Sequence, residues 1–221
     1  MPAPFALFYI DRLRKHLRIV AIQLSRNDND NEVFLPSDPQ PIWLAAKMWF
    51  NNAEAIIHKS SVLIGNSHML LESIATSVHR QLSPSHPVYR LIIFSIKDVI
   101  PINNFEIVPL TKGEGFLHRT TNVGAEGCMK LVERGWAEWR MDVNGWLPSD
   151  LESRNVQRTD ILPIYPYRDD SILLFNAFHE YVKEVLMIYY DENKLKDDWE
   201  VQNWGKELTC STGSSIKVFP V

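Results

Sequence analysis

Residues 42–82, IWLAAKMWFNNAEAIIHKSSVLIGNSHMLLESIATSVHRQL, decide the fold. The stretch contains no proline and is rich in good helix formers. Pro36, Pro39 and Pro41 precede it, and the break Ser83-Pro84-Ser85-His86-Pro87 follows it. This pattern predicts one long helix, or two in line. Upstream, FALFYI (5–10) and IVAIQL (19–24) read as two short strands joined by a basic turn, which predicts a hairpin ahead of the polar run 26–32. Downstream, residues 88–100 suit a helix ending before Pro101, residues 101–124 read as irregular, and 124–139 suit a short amphipathic helix. Residues 150–166 read as a polar loop carrying two prolines. Phe175, Phe178, Val182, Val185, Leu186 and Tyr189 then recur at spacings of three and four, which predicts a helix with one buried face. Asp169 and Asp170 near its start suit the helix dipole. With no internal repeat, low-complexity tract or Gly/Ser-rich linker, the chain reads as one mainly α unit.

Bulk properties exclude several classes of function. A chain of 221 residues with 45% hydrophobic content has enough apolar material for one sizeable core. A net charge of −4 and a pI near 6.0 leave no basic footprint for a nucleic-acid partner. No apolar run approaches the roughly eighteen residues of a transmembrane segment, and residues 1–11 lack the charged start and cleavage site of a signal peptide. Cys128 and Cys210 are far apart and without neighbours at metal-ligand spacing, so they read as free thiols in a reducing compartment, the cytoplasm.

Chemistry is less legible. Four of the seven histidines, His58, His68, His79 and His86, fall in or just after the long helix. On a regular α-helix His58 and His68 stand roughly 15 Å apart along the axis, too far to share an ion, and His68 and His79 fail for the same reason. There is no HExxH pair, G-x-S-x-G elbow, P-loop or dinucleotide-binding glycine pattern. The acid pairs Asp169-Asp170 and Asp197-Asp198 read as helix caps or solvated charge, and the tryptophans as packing. Taken residue by residue, the sequence establishes no metal site.

Three blocks carry a family resemblance. The first is Phe34-Leu35-Pro36-Ser37-Asp38 with Trp43-Leu44-Ala45-Ala46-Lys47-Met48-Trp49, preceded by Ile19-Val20-Ala21-Ile22-Gln23-Leu24. The second is His58, His68 and Glu72, continued by Arg80-Gln81-Leu82 and His86-Pro87-Val88-Tyr89-Arg90-Leu91. The third is Tyr165-Pro166-Tyr167-Arg168-Asp169-Asp170 and the helix after it, through Ile188-Tyr189-Tyr190. Together they resemble the animal lipoxygenases, and residues 101–124 match that family poorly.

The resemblance implies a mainly α fold, a partial lipoxygenase-type helical catalytic domain over residues 1–221 with a short N-terminal β-hairpin. The family's N-terminal β-sandwich lipid-binding domain and the part carrying its later iron ligands would lie outside these residues. It further implies non-haem iron dioxygenation of a polyunsaturated fatty acid. In the family, two histidines separated by four residues on a long helix, locally widened to the π type, ligate the iron. By resemblance His58 takes the first position and Leu63 the second, and His68 belongs to the same segment without ligating. Ile64 matches a pocket-lining leucine and would contact substrate. Leucine has no lone pair to offer, so the expectation is a chain without tightly bound iron, incomplete and catalytically impaired, or else a non-catalytic fatty-acid-binding or partner-binding remnant.

Overall fold

The computed structural model describes residues 3–13, 15–25, 32–191 and 194–219; the polar run at 26–31 lies outside them. The hairpin is present as β1 (Phe5–Asp11) and β2 (His16–Gln23), antiparallel, with a bulge between Leu7 and Phe8. A third antiparallel strand, β3 (Val33–Phe34), pairs Ile22 with Phe34 and Gln23 with Val33, so the expected hairpin is the larger part of a three-stranded sheet. Two residues carry too little alternation to announce a strand.

From Gln40 to Gln81 the chain is helical without a break. It comprises α1 (Gln40–Ile57), a π-helix (His58–Leu70) and α2 (Leu71–Gln81). Pro41 sits in the first turn of α1, where its missing N–H costs nothing. His86 then caps α3 (Pro87–Ile96), its Nδ1 accepting from the Val88 N–H at 3.1 Å.

The next stretch corrects the sequence reading. Residues 101–124 are largely helical, with α4 (Val99–Thr111), α5 (Phe116–Thr120) and the start of α6 (Gly124–Glu138). Pro101 does not end a helix but lies in the first turn of α4, and Pro109 lies in its last. Pro101, in the first turn, has no intrahelical N–H bond to lose, whereas Pro109 forgoes the bond an N–H there would make to the Phe105 carbonyl. Gly124 enters α6 at φ 64°, a backbone conformation that favours glycine. The expected loop at 150–166 is shortened by α7 (Leu147–Ser153). The periodic helix is α8 (Pro166–Tyr189), followed by α9 (Lys194–Asp197) and α10 (Trp199–Thr209).

Three apolar clusters hold these helices together. Ile64 of the π-helix packs with Leu117, Ala125, Cys128 and Val132 from α5 and α6. Ala75, Val78, Leu82, Val88 and Ile96 join α2 to α3, with Leu186 and Trp204 against them. Leu70, Trp139, Leu208 and Ile216 close the end of the π-helix against α10. The predicted buried face of α8 is not observed: Arg168 is its one buried residue among those described, and Phe178 is 61% exposed. The stripe is apolar, but only Phe175, Val185 and Leu186 of it are half-buried.

Candidate functional site

The π-helix organises the region that the resemblance singled out. Its i→i+5 hydrogen bonding brings every fifth residue onto one face, whereas in an α-helix residues five apart diverge by about 140°. The burial follows the wider period. Ser60, Gly65 and Leu70, five apart, are all buried, with Ile64 beside them. The neighbour against them is α6. Ser61 Oγ donates to the Leu131 carbonyl at 2.9 Å, and a Cβ built on Gly65 would stand 3.4 Å from Val132 Cγ1. One built on Gly135 would stand 3.0 Å from Ser61 Cβ. Two glycines therefore let α6 and the π-helix approach.

The same period places His58, Leu63 and His68 on a second stripe, and the three differ sharply in setting. His58 is exposed, and its imidazole has no hydrogen-bonded partner among the described residues. Leu63 is 42% exposed. His68, given no ligand role by the resemblance, is half-buried and fixed: its Nδ1 lies 2.8 Å from Asn103 Oδ1. Asn103, on α4 and 4% exposed, donates from Nδ2 to the His68 carbonyl at 3.0 Å and to Glu72 Oε2 at 2.7 Å. His68 and Glu72 are four residues apart where the π-helix passes into α2, and Asn103 ties both to a third helix. The histidine and glutamate were visible in the sequence; Asn103 was not, because it lies in a stretch read as irregular.

Ile64 is 1% exposed and packed in the cluster with Leu117 and Val132. Its side chain is taken up by core contacts.

The donor set can be compared with what iron needs. Leu63 and its neighbours Val62 and Ile64 offer no lone pair. Among the described residues no group of three or more His, Cys, Asp or Glu side chains is gathered so as to hold a metal ion. A non-haem iron site requires several such donors in fixed geometry. The described residues, with one oriented imidazole on the stripe, do not fit a complete iron site.

The other histidines of the segment are structural. Tyr89 Oη lies 3.3 Å from His79 Nδ1, with the rings edge to face. His86 is buried, its Nε2 3.0 Å from Asp198 Oδ2. Tyr190 Oη donates to the same oxygen at 2.8 Å. Asp198 Oδ1 accepts from the Glu200 and Val201 N–H groups, capping α10. The caps of α3 and α10 are thus bonded to each other. Burial pushes the Asp198 carboxyl up, but hydrogen bonds from Tyr190 and His86 outweigh it and hold the group below the usual carboxylate range. Burial, with the Asp198 carboxylate beside it, raises the Tyr190 phenol. The two cysteines are free thiols, Cys128 buried and Cys210 exposed.

A helical unit with a π-widened central helix and a small antiparallel sheet before it defines a recognisable class. The lipoxygenase family model matches residues 3–216, and the chain belongs to the lipoxygenase family. It is 32% identical over 191 residues to human hydroperoxide isomerase ALOXE3, covering 86% of this chain and 26% of that protein. It is 33% identical over 208 residues to human polyunsaturated fatty acid lipoxygenase ALOX15B, covering 93% of this chain and 30% of that one. The crystal structure of a coral 8R-lipoxygenase superposes with a TM-score of 0.89 at 29% identity, over 96% of this chain and 32% of that one. The chain thus spans less than a third of the length of these relatives.

Proposed function

We propose that this chain is a piece of a lipoxygenase catalytic domain, a scaffold for non-haem-iron dioxygenation of a polyunsaturated fatty acid, and that it is catalytically impaired as it stands. Family membership and the name of the ALOX15B relative support the substrate class. The observation that carries the impairment is Leu63, an apolar side chain between two histidines on the one stripe where the π-helix could aim a pair of imidazoles. The resemblance assigns the remaining ligand to His58. The setting of the two imidazoles favours His68 as the metal-facing one, since an outer-shell hydrogen bond to the second ring nitrogen is the usual companion of a ligating histidine. The donors present among the described residues do not complete a metal's coordination shell. Free Cys128 and Cys210 support a reducing compartment, and we place the protein in the cytoplasm. No helix among the described residues is long and apolar enough to cross a membrane.

A second reading, a fatty-acid-binding remnant, is favoured by a groove of about 530 Å³ along α8. Val182, Leu186, Met187 and Leu195 give it an apolar wall suited to an acyl chain, with Lys183, 3.8 Å from Glu180, and Asp191 also lining it. Hydroperoxide formation and fatty-acid binding by the chain in the presence of ferrous iron separate the readings. Saturable binding without hydroperoxide supports the remnant, neither supports the incomplete domain, and hydroperoxide formation at a family-like rate would refute the impairment.

A further inference from the structure

We infer that Asn103 is a positioning residue that fixes the tautomer of His68, leaving the lone pair on Nε2. The inference deepens the reading of His68 as the metal-facing imidazole and rests on it for its functional meaning, but its geometry stands by itself.

A carboxamide has two N–H donors on one side and an acceptor oxygen on the other. Both N–H groups of Asn103 are committed, to the His68 carbonyl at 3.0 Å and to Glu72 Oε2 at 2.7 Å. The His68 carbonyl and the Glu72 carboxylate are both acceptors. Turning the amide over would set its oxygen against a carboxylate and a carbonyl with no proton between them, while presenting N–H groups to the imidazole. The buried site therefore admits one orientation, in which Oδ1 faces His68 Nδ1 at 2.8 Å. An oxygen acceptor at that distance requires the ring nitrogen to carry the proton. In a neutral imidazole the other nitrogen, Nε2, is then the unprotonated one.

The chain of consequence runs Glu72 to Asn103 to His68, across α2, α4 and the π-helix. Glu72 sets the amide, the amide sets the ring, and the ring is held with the nitrogen a metal would require already deprotonated. Asn103 needs no contact with substrate or metal to do this. His58, exposed and with no hydrogen-bonded partner for its imidazole among the described residues, has no such device.

The test is imidazole ¹⁵N chemical shifts of the histidine-labelled chain near neutral pH without metal, with His68 assigned by its loss in His68→Gln. The expected result is a single tautomer, with Nδ1 pyrrole-like and Nε2 pyridine-like. Asn103→Leu should abolish that pattern and leave the mixture of tautomers found in a free imidazole. Since Asn103→Leu strands buried polar groups and can cost the fold, Glu72→Gln is the second variant. It removes one of the two acceptors that hold the amide, the His68 carbonyl keeping the other, and should admit the second tautomer in part. A wild-type His68 protonated on Nε2, or a single Nδ1–H tautomer that survives both substitutions in a folded chain, overturns the assignment. A wild-type Nδ1–H pattern lost in Glu72→Gln, with no His68 response to added cobalt(II), upholds the role of Asn103 and overturns the metal-facing reading alone.

Discussion

Ile64 is the residue on which a pocket role and a packing role give different numbers. The side chain is 1% exposed and packed with Leu117, Ala125, Cys128 and Val132, whereas its neighbour Leu63 is 42% exposed. Ile64→Ala removes three buried carbons, roughly 2.4 kcal/mol at about 0.8 kcal/mol each. The cavity left between the π-helix and α6 brings the loss to about 3–4 kcal/mol. Leu63→Ala removes as many carbons from a side chain already 42% exposed, and should cost about 1 kcal/mol. For a chain of this length each kcal/mol lowers the melting temperature by roughly 2–4 °C, so Ile64→Ala should melt about 6–16 °C earlier and Leu63→Ala only about 2–4 °C earlier. Urea unfolding of the two variants side by side reads the difference directly. A loss for Ile64→Ala no greater than that for Leu63→Ala would refute the packing argument and return Ile64 to the pocket wall that the family resemblance suggests.

Two further predictions concern the joints between helices. Asp198→Asn should destabilise the chain by about 2–4 kcal/mol at neutral pH, through the lost charge at the α10 cap and its bonds to Tyr190 and His86. Because the folded carboxyl titrates below its unfolded value of about 3.9, its contribution is present above that pH and is lost as pH falls through the folded value; acid unfolding of Asp198→Asn should accordingly be shallower there. Ser77→Ala should cost about 1–3 kcal/mol in chemical denaturation, since Ser77 Oγ accepts the Trp204 Nε1–H at 3.0 Å in a buried site and alanine leaves that donor unpaired.

The parts of the fold legible in the sequence were those whose signal is local. The proline-free run from Ile42 to Leu82 and the strands before it read directly, because proline placement and alternation act over a few residues. The helix α4 was hidden by Pro101 and Pro109: proline is disfavoured in helices, yet the first turn accepts Pro101 without loss and the helix spans Pro109 at the cost of one hydrogen bond. The stripe on α8 has a helical period, yet periodicity reports what a helix could bury and not whether a neighbour is there to bury it. At the candidate site, His68 and Glu72 could be seen as an i, i+4 pair, but their meaning depends on Asn103, thirty-five residues away on another helix. The exposure of His58, which the resemblance placed first, is likewise a fact of packing that its sequence neighbours do not carry.

The central claim is that Leu63 leaves the π-helix stripe short of a ligand. Iron content per chain, measured by atomic emission after anaerobic ferrous loading and desalting, tests it most directly. The account predicts negligible iron in the chain as it is and a marked gain in Leu63→His, where two imidazoles five residues apart share one face of the π-helix, the gain being abolished by His68→Ala and spared by His58→Ala. Near-equimolar iron in the unaltered chain would contradict it.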